Sequence, residues 1–263
     1  MKKTNTKKDF ERLHTYYQKR AYTRLIKDFR KMLGEIPYNN LTGANSRAII
    51  ALNINDETLK KTLYNLYLDI GLKYGKHVVR DLNKTIENKA KKPYPLFSEN
   101  FIKFITDFFE KSGGKKVVSL TETMTDKVLK VISDSQAEGL TQAETIDLVK
   151  KTVNKPSFYR YNAMRIARTE SLFAMNAAKV KSFKDSTIKV VKVWRQGGSR
   201  HPRADHSIMD GTEVQSESPF TLPNGERCMF PGDPSLSAGS VINCSCSISY
   251  KPVRDSNGDL VYK

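Results

Sequence analysis

Residues 194–246 begin with Trp194-Arg195-Gln196. They continue through Arg200-His201-Pro202-Arg203-Ala204-Asp205-His206, Asp210-Gly211 and Pro231-Gly232-Asp233-Pro234, and close on Ile242-Asn243-Cys244-Ser245-Cys246. This segment holds the only tryptophan, two of the four histidines and all three cysteines. Gly197-Gly198, Pro219 and Pro223-Asn224-Gly225 add further turn signals, so the strands between them must be short. Ile188 to Trp194 is β-branched and reads as a strand leading in. Side chains with chemistry are therefore predicted to sit on a loop-rich module.

Upstream, a helix is predicted from about Ser157 to Phe183. Ile166, Phe173, Ala177 and Val180 fall on one stripe at 100° per residue, and Arg165, Thr169 and Asn176 fall on a second. Such a polar line suits irregular backbone, whose unpaired carbonyls and amides it can bond. Glu170 points to another face, so the line reads as scaffold and not as a catalytic set. Before it, Thr141-Gln142-Ala143-Glu144 has the form of a capping box opening a short helix to about Asn154, with Pro156 expected to end it.

Further helices are predicted over residues 8–33, from Asp56 to Ile86 with a stop at Lys91-Lys92-Pro93-Tyr94-Pro95, over Phe101–Phe109, and from Val117 to Ile132 with Gly139 as punctuation. Residues 34–46 read as a loop, and Asp255–Asp259 as an exposed turn. His14 and His77 lack a second ligand at helical spacing and read as surface or partly packed residues. The expected architecture is α+β, with a basic helical region over 1–155, a long helix and small loop-rich module over 156–250, and a tail over 251–263.

The net charge of +17 is uneven. Twelve basic residues face four acidic ones in 1–50 and two in 151–200, whereas residues 201–250 carry two basic and six acidic residues. The basic regions need a polyanion such as nucleic acid or an acidic partner, or else they are solvated faces. No run approaches the roughly 18–20 apolar residues of a membrane span, and the start lacks a signal peptide's apolar run, so a cytosolic origin is expected. An odd number of cysteines, two of them one residue apart, fits reduced thiols or metal ligation better than a disulfide.

Three chemical readings arise from the module. His206, Cys228, Cys244 and Cys246 make up a Cys₃His set for a structural zinc, with His201 as a substitute for His206; buried reduced thiols are the alternative. Asp205-His206 followed by Asn243 has the order of an HNH nuclease site, but no histidine follows His206 to complete it. Arg200, His201, Arg203 and His206 form a candidate cluster for phosphate or carboxylate, or pair with Asp205, Asp210 or Glu213 within the module.

The order of several motifs resembles the Mu F-like head-morphogenesis (minor head) proteins of tailed bacteriophages. The matching features are Arg165-x-Ala167-Arg168-Thr169-Glu170 with Asn176, the strand ending in Trp194, Arg200 and Arg203 before His206, Asp210-Gly211, Pro231-Gly232-Asp233, and Asn243-Cys244-x-Cys246. They cover about residues 160–250, and Ser245 stands where the family usually carries arginine. The resemblance implies a minor structural protein of the virion, inside the head near the portal vertex and present in several copies. It implies the portal protein, the capsid and packaged double-stranded DNA as partners, in assembly, packaging or DNA delivery. The host cytoplasm is then its location during assembly. An enzyme or toxin module acting on nucleic acid and delivered with the genome is the alternative.

Overall fold

The computed structural model of the chain describes residues 7–42, 44–55, 57–85, 99–113, 115–199 and 202–263, apart from the side chains of Thr85 and residues 115–120. Gly43, Asp56, Ile86, the stop at Lys91–Pro95 and Gly114 lie outside the described residues. The chain is α+β. Its helices are α1 (Lys7–Gly34), α2 (Ser46–Asn53), α3 (Glu57–Thr85), α4 (Glu99–Ser112), α5 (Lys115–Ala137), α6 (Gln142–Val153) and α7 (Pro156–Lys184). Then come β1 (Val190–Arg195), α8 (Ala204–Ile208), β2 (Glu213–Gln215), β3 (Phe220–Thr221), β4 (Arg227–Cys228), α9 (Ala238–Val241) and β5 (Ser247–Pro252). No described helix is long and apolar enough to cross a membrane.

The contacts divide the chain into two compact units, neither of them continuous in sequence. One comprises Met1–Gln18, Asn65–Ser112 and Arg168–Lys263; the other comprises Lys19–Tyr64 and Gly113–Ala167. These divisions fall inside α1, α3 and α7, whereas the sequence boundaries follow chain order.

The second unit is helical. Leu25, Phe29, Ile50, Leu59, Leu63, Met124, Val128, Val149 and Val153 are buried in it at the three- and four-residue steps of their helices. The capping box at α6 is present: the Thr141 hydroxyl accepts from the Glu144 amide, and the Glu144 carboxylate accepts from the Thr141 amide at 2.8 Å. Gly139, at φ +73°, precedes it. Two differences from the sequence reading arise here. Pro156 opens α7 instead of only ending α6, because proline's fixed φ and missing N–H suit the first helical position. Helix α2 follows directly on the loop at 34–46, with the Ser46 amide bonded to the Thr42 carbonyl.

In the first unit, residues 169–179 of α7 are buried without interruption, which takes in every face of the helix over three turns. The sequence stripes predict one apolar face and a polar edge; the observed helix is a central one in which Thr169, Glu170, Ser171, Asn176, Lys179 and Ser182 each make a side-chain hydrogen bond. The sheet is antiparallel in the order β2-β1-β5, with Val193 opposite Glu213 and Trp194 opposite Ile248. Strands β3 and β4 form a small hairpin. The tail is paired through isolated bridges from Ile188 to Tyr262 and from Arg254 to Leu260, around the exposed Asp255–Asp259 turn.

A candidate metal centre in the loop module

Four side chains of α7 hold the loops of the first unit. Asn176 Nδ2 donates to the carbonyls of Pro231 at 2.8 Å and Cys246 at 3.3 Å. Thr169 Oγ1 accepts from the Asn243 amide at 3.3 Å, and Arg168 donates to the Asn243 side-chain oxygen at 3.4 Å. Asn243 sits at φ 57°, a left-handed conformation that asparagine tolerates better than most residues. Lys179, also buried, donates to the Ile248 carbonyl at 2.7 Å, and burial brings its ammonium down to about 7. The helix thus bonds loop backbone at 231, 243 and 246 and strand backbone at 248.

The remaining motif residues act locally. Asp210 Oδ1 accepts from the Gln196 amide at 2.8 Å, and the Gly211 amide donates to the Trp194 carbonyl at 3.0 Å, which pins the end of β1. Asp233 accepts from the amides of Met229 and Ser235. Gly232 lies at φ +80°, where an added Cβ would sit 2.8 Å from the Phe173 ring. Glu170 is buried and accepts from the Tyr67 hydroxyl at 2.6 Å. Burial, with the Glu170 charge beside it, pushes the Tyr67 phenol well above its usual range. Arg165 lies over the Tyr161 ring at 5.8 Å, in the second unit; Arg168 is the arginine that reaches Asn243.

Over this frame His206, Cys244 and Cys246 converge. All three are buried, with their ligand atoms within 4.8 Å of one another. His206 Nδ1 lies 3.6 Å from Cys244 Sγ and 3.7 Å from Cys246 Sγ. Trp194 packs edge-on against the His206 ring at 5.4 Å, with Phe220 against the tryptophan in the same way. The Cys246 amide donates to Cys244 Sγ at 3.4 Å, and the Gly197 amide to the Cys246 sulfur. Gly197 has to be glycine, because a Cβ there would overlap the Ser245 carbonyl. The hydrogen bond from Cys244 to Cys246 holds the Cys246 thiol below the usual range and Cys244 well above it, so one of the two sulfurs is readily a thiolate.

Cys228, the fourth member of the expected set, stays out of the cluster. It lies on β4, where burial and the nearby Asp233 carboxylate push its thiol up to about 12, against the pull of Lys192. Lys192 is itself fully buried on β1 and donates to the Met229 carbonyl at 2.9 Å. Of the anion cluster, Arg200 and His201 lie outside the described residues. Arg203 donates to the Ile242 carbonyl at 2.7 Å, a bond within the module. The nuclease order places Asp205 beside the His206 amide, but His206 faces two sulfurs and is 1% exposed, which denies a phosphodiester an approach. His14 differs from expectation as well. It is buried against the Arg168 carbonyl at 3.1 Å, and burial lowers its pKa.

Sequence reasoning missed Lys179 and Lys192. Both had a signal: Lys179 stands one turn after Asn176 on the polar line, and Lys192 interrupts a β-branched run.

Comparison with known proteins found similar sequences. The uncharacterized protein YqbB of Bacillus subtilis (strain 168) is 33% identical over 167 residues, 62% of this chain and 52% of that protein. The NAD(+)--arginine ADP-ribosyltransferase EFV of Enterococcus faecalis (strain ATCC 700802 / V583) is 23% identical over 157 residues, 58% of this chain and 31% of that protein. The chain therefore spans about half of the first relative and under a third of the second. No solved structure matches it. Residues 126–249, which contain the α7 frame and the His206, Cys244 and Cys246 cluster, match the family described as Phage Mu protein F like protein, and over those residues the chain is similar to this family of phage head-morphogenesis proteins.

Proposed function

We propose that the protein is a minor structural component of a tailed-phage head, placed inside it near the portal vertex, in several copies. In this reading it contacts portal or capsid and the packaged DNA, and acts without turnover in head assembly, packaging or DNA delivery. The family match over residues 126–249 carries the reading. Two features support it. Arg168, Thr169, Asn176, Asp210 and Asn243 spend their polar groups on the module's own backbone and side chains, as structural supports would. In the second unit, a groove of about 360 Å³ is lined by Tyr22, Thr23, Ile26, Lys27, Arg30 and Arg160, a cationic surface suited to phosphate.

Quantitative mass spectrometry of purified mature particles tests this. A small fixed ratio to the portal protein supports a built-in vertex component, and absence from particles overturns it.

A second reading has one observation in its favour, the printed activity of the Enterococcus relative. Under it the module accompanies an enzyme and is delivered with the genome. Consumption of NAD with labelling of an arginine substrate, or nicking of plasmid with Mg²⁺ or Mn²⁺, would favour this reading over the structural one.

A further inference from the structure

We propose that His206, Cys244 and Cys246 hold a zinc ion that staples α8 to the loop before β5, with solvent in its fourth position. A tetrahedral zinc with Zn–S near 2.3 Å and Zn–N near 2.0–2.1 Å separates sulfur from nitrogen by about 3.6 Å. The observed separations from His206 Nδ1 are 3.6 and 3.7 Å. Both sulfur–nitrogen separations thus match the ion, and the two sulfurs lie within 4.8 Å of each other.

The surroundings fit the donors. The amides of Cys246 and Gly197 point at the two sulfurs, where they stabilise thiolate charge and orient the ligands. Packing against Trp194 fixes the imidazole, and ligation through Nδ1 leaves the ring proton on Nε2, which is buried with no hydrogen-bond partner among the described residues. Two thiolates balance the charge of Zn²⁺, which makes the site neutral in a buried place. A cavity of about 30 Å³ touches all three ligands and is lined as well by Gln196, Arg203 and Asn243. That volume accommodates about one water with polar partners, which completes four-coordination. The tied segments are a helix of five residues and a loop, short elements to which a metal can contribute folding energy.

The inference stands on the ligand geometry and not on the phage reading, and metal content is measured on isolated protein whatever its presence in particles. The full chain is purified without chelator and its zinc determined by elemental analysis. About one equivalent per chain is expected, lost in the Cys244→Ser/Cys246→Ser double variant and kept in Cys228→Ser. Because the double variant is at risk of misfolding, wild-type apoprotein is also titrated with Co²⁺. Intense visible bands of a tetrahedral thiolate complex, displaced by Zn²⁺, support the site. Zinc below about a tenth of an equivalent together with absent cobalt bands overturns it, as does zinc retained in the double variant or lost from Cys228→Ser.

Discussion

Asn176 Nδ2 donates to the Pro231 carbonyl at 2.8 Å across 55 residues of sequence, both groups buried. One side-chain amide thereby fixes where the 231–234 turn meets α7, and the same nitrogen reaches the Cys246 carbonyl. Asn176→Leu should lower stability by about 1–3 kcal/mol, because it strands two buried carbonyls in place of removing whole pairs. Asn176→Asp should be no better, since a carboxylate offers no donor. Urea unfolding of the two variants is the check, and near-wild-type midpoints would sink the argument.

Gly232 makes a second, independent contact between the same turn and the helix. Gly232→Ala combines a left-handed backbone with a Cβ 2.8 Å from the Phe173 ring, and should destabilise by at least about 2 kcal/mol. Adding Phe173→Leu relieves the overlap but not the backbone strain. The double-mutant cycle should show a favourable coupling of about 0.5–3 kcal/mol, and strict additivity would place the cost elsewhere.

Lys179 gives the fold a pH signature. Its folded pKa lies near 7, down from the ordinary 10.5, because the ammonium is buried. Between those values the unfolded chain carries a proton that the folded chain lacks, so this group makes stability rise with pH. Below about pH 7 both states carry the proton and the penalty is present in full. Stability of wild type relative to Lys179→Met should therefore increase from pH 7 to pH 9; a difference that does not change with pH would contradict the assignment.

If the groove on α1 and α7 meets DNA, Lys27 and Arg160 neutralise phosphates there, and neither is in an ion pair among the described residues. Lys27→Gln/Arg160→Gln should reduce the slope of log affinity against log salt by about 2, near 0.9 per phosphate contact. Arg30 is left in place because its Nε bonds the Tyr159 hydroxyl at 3.0 Å. Duplex binding measured across salt concentrations decides, and an unchanged slope removes the groove from any DNA contact.

Local signals carried the fold into the sequence reading, and their reach set its limits. The long helices announce themselves because apolar residues recur with the turn of the helix, and Thr141 with Glu144 marks a start through two bonds only three residues apart. Pro156 shows the weakness of the same reasoning, since one residue type serves as a stop for α6 and a start for α7. Cys244 and Cys246 were recognisable as a pair from their spacing. His206 stood in the expected set and joins them, but that Cys228 stays out was not legible, because β4 is placed by distant contacts that no spacing records. His14 and Lys179 were hidden for a different reason. Each is a polar residue buried next to one carbonyl of a remote segment, and nothing in its own neighbourhood announces that carbonyl.

The pairing of His14 with the Arg168 carbonyl, 154 positions later, has a consequence during synthesis. At about 5–20 residues per second the ribosome delivers the second partner on the order of ten to thirty seconds after the first. For that interval the opening turns of α1, with Phe10 and Tyr17 among them, have no α7 to pack beside them. The strand β1 waits again, since β5 fills its remaining edge only after a further fifty residues. The growing chain, more than the finished protein, is thus the form that a holding chaperone would be needed to protect.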